Sequence, residues 1–171
     1  EVVSAKSYGI VGSCVFLCLL INECSTCADF ALPTSHFELT KMATEKFDAD
    51  KAPKPVGLYP HARRAGNLLF LSGIGPRDPE TDGVPGLTRT PSGNYSSFDF
   101  EAQVHSVFRN VRAVLEASGA RWEDLVDVTV FLTNMERDFH TFNRIYAEYF
   151  KDNQPCRTTV GIDSLPTPIS I

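Results

Sequence analysis

The residue best suited to chemistry is Arg157. It heads the β-rich run Arg157-Thr158-Thr159-Val160-Gly161-Ile162-Asp163, directly after Pro155 and Cys156. A guanidinium can grip a carboxylate through two parallel hydrogen bonds, so an arginine at a strand end suits recognition of a small organic acid. The same residue type at a strand end also serves as a surface ion-pair partner. Cys156 has no base partner near it in sequence. It reads as a small strand-edge residue, with a catalytic thiol as the other reading. The histidines His36, His61, His105 and His140 are scattered, and His105 and His140 stand among polar helix neighbours as solvated residues. There is no phosphate-binding glycine loop, nucleophile elbow or HExxH motif. Cys14-x3-Cys18 and Cys24-x2-Cys27 are too close together to enclose a finger and lack histidines at ligand spacing, so no metal site is expected.

Composition narrows the class further. The chain has 171 residues, 43% of them hydrophobic and 22% charged, which suits one globular domain with a short appendage and excludes intrinsic disorder. The formal net charge is −5 and no basic stripe appears, which argues against a nucleic-acid partner. Four of the five cysteines fall within the first 27 residues. That imbalance marks a boundary between two differently constituted parts. The run from Tyr8 to Ile21 carries no charge but is shorter than the roughly 20 residues of a membrane span, so no membrane partner is expected. It resembles the apolar core of a secretory signal, with Thr26 and Ala28 at a cleavage point, yet the residues before it have no net positive charge. Met42-Ala43-Thr44 reads as the start of a cytosolic chain. The expectation is therefore a leader, signal-like or non-native extension over residues 1–41 and a functional domain over 42–171. That domain is cytoplasmic, or secreted if residues 1–28 act as a signal.

The elements that must position Arg157 follow from periodicity. Residues 43–56 are polar, with Pro53 and Pro55, and read as an arm. Gly66-Asn67 is a turn dipeptide between two extended runs, the second being Leu68-Leu69-Phe70-Leu71, so the domain opens with a hairpin. Residues 74–98 are rich in turn dipeptides and form a long functional or mobile loop. Asn94-Tyr95-Ser96 fits a glycosylation tripeptide, which has meaning only in a secreted chain. Val104, Val107, Phe108, Val111, Val114 and Leu115 repeat with helical spacing, which predicts a helix over 100–118 capped by Asp99 or Ser97 and stopped at Gly119. Val126, Val128, Val130 and Leu132 alternate with Asp127, Thr129, Phe131 and Thr133, which predicts a strand. A second helix, capped by Asn134 or Asp138, carries Phe139, Phe142, Ile145, Tyr146 and Tyr149 on one face. Two strands close the chain, the last beginning at Ile169. The order predicts an α+β domain: a two-layer mixed sheet with two helices on one face and parallel crossovers. Phe131 faces away from the helices, on a sheet surface suited to packing against other subunits.

Three strings carry a resemblance. Pro55-Val56-Gly57-Leu58-Tyr59-Pro60-His61-Ala62 with Gly66-Asn67-Leu68-Leu69-Phe70-Leu71-Ser72-Gly73 resembles the opening of the Rid (reactive intermediate or imine deaminase, YjgF) family. Val126-Asp127-Val128-Thr129-Val130-Phe131-Leu132 with Phe142-Asn143-Arg144-Ile145-Tyr146-Ala147-Glu148-Tyr149-Phe150 resembles its middle. Pro155-Cys156-Arg157-Thr158-Thr159-Val160 with Leu165-Pro166 resembles its closing signature. Within the family, the strings at 60–66 and 157–160 look closest to the 2-aminomuconate deaminase branch. The resemblance implies a chorismate-mutase-like fold and a homotrimer with a central barrel of sheets, helices outside and sites between subunits.

The resemblance also implies a site. Arg157 takes the place of the family's carboxylate-binding arginine and Tyr59 that of an aromatic wall residue. Ser72 and Gly73 match the strand end whose backbone lines the pocket, and Asn143 matches a helix asparagine near it. Thr159 stands where many members have cysteine. The 74–98 loop is longer than the family's short turn. The family's glutamate on a final strand would, by register from Leu165-Pro166, follow Ile171, so the domain reads as truncated in its last strand. The implied activity is hydrolytic deamination of an enamine or imine acid such as 2-aminomuconate, with release of ammonia. It needs no metal or organic cofactor, because an imine carbon is already electrophilic. The alternative implied by altered sites is a non-catalytic regulatory trimer that binds a small carboxylic acid.

Overall fold

The computed structural model describes residues 9–12, 44–92 and 95–171. The cleavage point at Thr26 and Ala28, the four N-terminal cysteines, the start at Met42 and Asn94 of the glycosylation tripeptide lie outside the described residues.

A hairpin of β3 (Ala62–Ala65) and β4 (Leu68–Leu71) turns at Gly66-Asn67, and Gly66 has φ +60°, a conformation open to glycine at little steric cost. Part of the expected polar arm is instead β2 (Thr44–Phe47), an outer strand antiparallel to β3. Thr-Glu-Lys-Phe has no apolar alternation because an edge strand with its side chains in water needs none, and charges there discourage further pairing. Within the segment expected as a leader, β1 (Gly9–Gly12) pairs in parallel with β4 on one side and with β7 (Leu125–Leu132) on the other. With β8 (Cys156–Gly161) parallel to β7, the sheet order is β2-β3-β4-β1-β7-β8. The second half of the long loop holds a small separate pair, β5 (Thr88–Arg89) and β6 (Tyr95–Ser97). Ile169–Ile171 forms no assigned strand, although the Thr133 N–H donates to the Ser170 carbonyl at 3.2 Å.

The two helices fall where their periodicity placed them. In α1 (Phe100–Ala117) the Asp99 carboxylate accepts from the Ala102 N–H at 3.0 Å, and Gly119 leaves the helix with φ +69°. In α2 (Met135–Tyr149) it is Asn134 that caps, accepting from the Arg137 N–H at 3.0 Å. Asp138, the other expected cap, is buried and held by Arg137 at 2.7 Å through both carboxylate oxygens. Val104, Leu115, Phe142 and Ile145 from the helices meet Leu69, Val130 and Leu132 from the sheet in one core. Full burial of such a side chain contributes roughly 2 kcal/mol before the entropy of ordering it is counted. Phe108 sits at the centre of an aromatic cluster, with ring centroids 4.6 Å from Tyr149, 5.5 Å from Phe150 and 5.7 Å from Trp122.

The long loop is bound to the helix start. The Asp99 N–H donates to the Gly86 carbonyl at 3.1 Å, and Gly86 has φ +69°. A Cβ on Gly86 would fall 2.1 Å from the Asp99 Cβ, so both backbone angle and space require glycine. Gly86→Ala is expected to lower stability by about 3 kcal/mol, seen as a lower urea midpoint with an unchanged slope. A midpoint equal to the wild type's would show that this contact does not hold the loop.

Candidate active site

Polar residues of α1 shape the region that follows β4. Gln103, Ser106 and Asn110 lie at helical spacing on the core side, and all three are buried. Ser106 donates to the Pro76 carbonyl at 2.8 Å. Asn110 donates to the carbonyls of Gly75 and Arg77 at 2.9 and 2.8 Å. Gln103 accepts from the Ser170 N–H at 2.8 Å, which pins the C-terminal segment beside the same bend. A buried backbone carbonyl must be paired, and these side chains supply donors where no strand does. The expected apolar helical face missed this stripe. Its signal was three hydrogen-bonding residues spaced 0, 3 and 7 within that face.

A second clasp holds the segment before β3. His61 is buried. Its Nδ1 accepts from the Ala49 N–H at 3.1 Å and its Nε2 lies 3.0 Å from the Pro53 carbonyl, which sets the tautomer with the proton on Nε2. Ser72 donates to the Pro60 carbonyl at 2.7 Å, and its N–H donates to the His61 carbonyl at 2.9 Å. These bonds fix Tyr59 at the rim and leave its ring largely exposed.

Between the end of β4 and the second half of β7 lies a cavity of about 350 Å³. Among the described residues β1 pairs with β7 at Leu125 and Asp127, and the cavity wall continues along β7 to Phe131. Tyr59, Ser72 and Gly73 line the opposite side, Phe108, Phe142 and Trp122 line the depth, and Asp127 and Arg77 are the charged residues in the wall. A side chain at Gly73 would meet nothing within 4 Å, so its backbone is open to the cavity.

Arg157, Thr159 and Asn143 are elsewhere. Arg157 pairs in register with Val128 and Thr159 with Val130, so both face the helices, in the seam between α2 and the outer strand β8. The guanidinium carbon lies 4.6 Å from the centre of the Tyr146 ring and 5.5 Å from that of Phe142. No carboxylate among the described residues is ion-paired with it. Asn143 is half-buried on α2, three residues before Tyr146 and so on the same side of the helix. The Tyr146 and Thr159 hydroxyls are both buried without a hydrogen-bond partner among the described residues. Cys156 begins β8 as an exposed free thiol. The expected site residues therefore form two groups within one chain. Tyr59, Ser72 and Gly73 stand at the end of β4, and Arg157, Thr159 and Asn143 stand three strands away, about 14 Å at ordinary strand spacing. On the helical face Tyr146 is one aromatic among several, and its place beside Arg157 follows from the packing of α2 on β8. Among the described residues no cluster of three or more His, Cys, Asp or Glu is placed to hold a metal ion, and no helix is long and apolar enough to cross a membrane.

This fold and these two groups define a class of protein. The family model described as Endoribonuclease L-PSP matches residues 49–171. A RutC family protein of Pyrococcus abyssi is 38% identical over 130 residues, covering 76% of this chain and 93% of its own. A protein of Dermatophagoides farinae named 2-iminobutanoate/2-iminopropanoate deaminase is 39% identical over 116 residues, covering 67% of this chain and 80% of its own. The crystal structure of RidA from an Antarctic Psychrobacter is similar with a TM-score of 0.64 and 31% identity, covering 74% of this chain and 92% of that one. The chain belongs to the Rid (RutC, endoribonuclease L-PSP) family, in the α+β fold of its solved members.

The surroundings of Tyr146 yield a measurable pH effect. Burial pushes its phenol above the ordinary value, Arg157 draws it down, and Asp127 and Cys156 push it up again. A raised folded-state pKa favours the neutral phenol in the fold. Its stability contribution is complete below the unfolded value near 10 and is lost as pH rises through the folded one. Urea unfolding followed from pH 8 to 11 is expected to show an alkaline loss that Tyr146→Phe reduces. An identical alkaline loss in both proteins would contradict it.

Proposed function

We propose that this chain is an imine deaminase, a hydrolase that converts small 2-imino or 2-enamino acids to 2-oxo acids and ammonia. The observation that carries the reading is Arg157: a half-buried guanidinium resting on aromatic faces, with no carboxylate among the described residues spending its charge. Family membership and the imine deaminase of Dermatophagoides farinae support the reaction class. The resemblance of residues 60–66 and 157–160 to the 2-aminomuconate deaminase branch makes 2-aminomuconate the first substrate to test.

The chemistry proceeds from the imine tautomer. Arg157 holds the substrate carboxylate by two charge-assisted hydrogen bonds and sets the imine carbon against an ordered water. The water oxygen adds to that carbon, the C=N π pair moves to nitrogen, and the proton released by the adding water ends on nitrogen. The resulting carbinolamine collapses: its hydroxyl proton passes to nitrogen, the oxygen lone pair forms the carbonyl of the 2-oxo acid, the C–N bond breaks and ammonia leaves. Backbone groups near Gly73 and Thr159 hydrogen-bond the water or the developing amine.

This reading requires assembly as a homotrimer, because one chain holds its two groups too far apart for one small substrate. A ring of three copies sets the β4 end of one chain against the β8 edge of its neighbour. The sheet surface away from the helices carries Phe131 on β7 and the exposed Val160 on β8, apolar area suited to closing such a ring.

Arg157→Ala is expected to lower kcat/KM by about a hundredfold or more, since it removes two hydrogen bonds from a charged group. The assay is ammonia release from 2-aminomuconate and from 2-iminopropanoate generated in situ. Full activity in the variant would overturn the assignment. Saturable binding of a small carboxylic acid with no ammonia release from either substrate would favour the regulatory, non-catalytic trimer.

A further inference from the structure

We propose that Tyr146 is the positioning residue for Arg157: its ring face fixes the guanidinium in the α2–β8 seam in the place an acidic partner would otherwise take, leaving both donor edges for a substrate carboxylate. The inference rests on the deaminase reading and adds the residue that prepares its anion site.

The argument begins with what half-buried arginines require. A guanidinium drawn from water is ordinarily stabilised by a carboxylate, and that carboxylate then competes with any anionic ligand. Arg157 lacks such a partner among the described residues. Its guanidinium carbon lies 4.6 Å from the Tyr146 ring centre, closer than the 5.5 Å to Phe142. An aromatic face attracts the cation through the ring quadrupole and leaves the in-plane N–H donors unused. Asp127, whose strand neighbour in register is Cys156, bears on Tyr146 electrostatically without forming an ion pair with Arg157. The charge is thus held but not neutralised.

The platform is itself rigid. The Tyr146 ring stacks on Phe150 at 4.2 Å between centroids with planes 26° apart, and it meets Phe142 at 5.6 Å. Phe142 and Phe150 are buried in the core. Arg157 therefore takes its orientation from the core chiefly through the Tyr146 ring, with Phe142 as the more distant second face. The buried, unpartnered hydroxyls of Tyr146 and Thr159 place two further polar atoms on the same side of β8 as Arg157.

The test uses the full chain, with pyruvate as a small 2-oxo acid probe in titration calorimetry and 2-iminopropanoate generated in situ for kinetics. Tyr146→Leu is expected to weaken pyruvate binding and to raise KM by about tenfold, with kcat within about twofold of wild type. Tyr146→Phe restores both to within about twofold, because the ring face is what acts. Tyr146→Met, also ringless, serves in place of Leu if that variant fails to fold, and melting temperatures report folding for all three. Wild-type binding in either folded ringless variant, while Arg157→Ala loses pyruvate, would overturn the role of Tyr146 and leave the deaminase reading intact. A loss in Tyr146→Phe equal to that in the ringless variants would assign the effect to the hydroxyl and also overturn it. Undiminished pyruvate binding by Arg157→Ala would overturn the underlying site reading instead.

Discussion

Three side chains on the buried face of one helix hold the backbone on which the rest of this molecule depends. Gln103, Ser106 and Asn110 reach from α1 to the Gly75–Arg77 bend and to Ser170. That bend continues β4 past Gly73, where the strand leaves the sheet and its carbonyls lose their ladder partners. A buried unpaired carbonyl costs on the order of 1–3 kcal/mol, so the helix donors decide whether the strand end stays ordered. With it stays the wall formed by Ser72, Gly73 and, through the Pro60 and His61 carbonyls, Tyr59. The site is arranged by polar contacts buried within an otherwise apolar core, which ties its geometry to the packing of α1 on the sheet.

Much of this architecture was legible in the sequence, for reasons that differ by element. α1 and the strand Leu125–Leu132 announce themselves because burial on one side imposes a period of 3.6 or 2. The hairpin was legible from Gly66-Asn67, since its positive φ selects glycine. β2 was not, because an outer strand with solvated side chains leaves no apolar period. The place of Gly9–Gly12 between β4 and β7 was equally hidden, since a short glycine-bounded run does not say which partners it will pair with.

The site divides along the same line. Chemistry and place at a strand end make Arg157 a candidate and leave a surface ion pair as the other reading; its role, like those of the remaining candidates, comes from resemblance. That Arg157 and Thr159 share a face follows from strand alternation. Their distance from Ser72 and Gly73 is a matter of sheet order, which periodicity does not encode. Tyr146 shows the limit most clearly. On a helical wheel it is one more aromatic among Phe139, Phe142 and Tyr149, and only the crossing of α2 over β8 turns it into the bed of a cation.

The long loop has a consequence of its own. It is fastened at Asp78, whose carboxylate accepts from the backbone of Glu80 and Thr81, and again where Gly86 meets Asp99. Between Gly86 and Asp99 lies the β5–β6 pair. Lengthening a loop whose ends are already fixed costs little, because closure entropy grows only with the logarithm of its length. Fastened at Asp78 and again where Gly86 meets Asp99, the loop has a hairpin whose length can change at little cost in closure entropy, which makes it a natural place to insert a tag or a reporter.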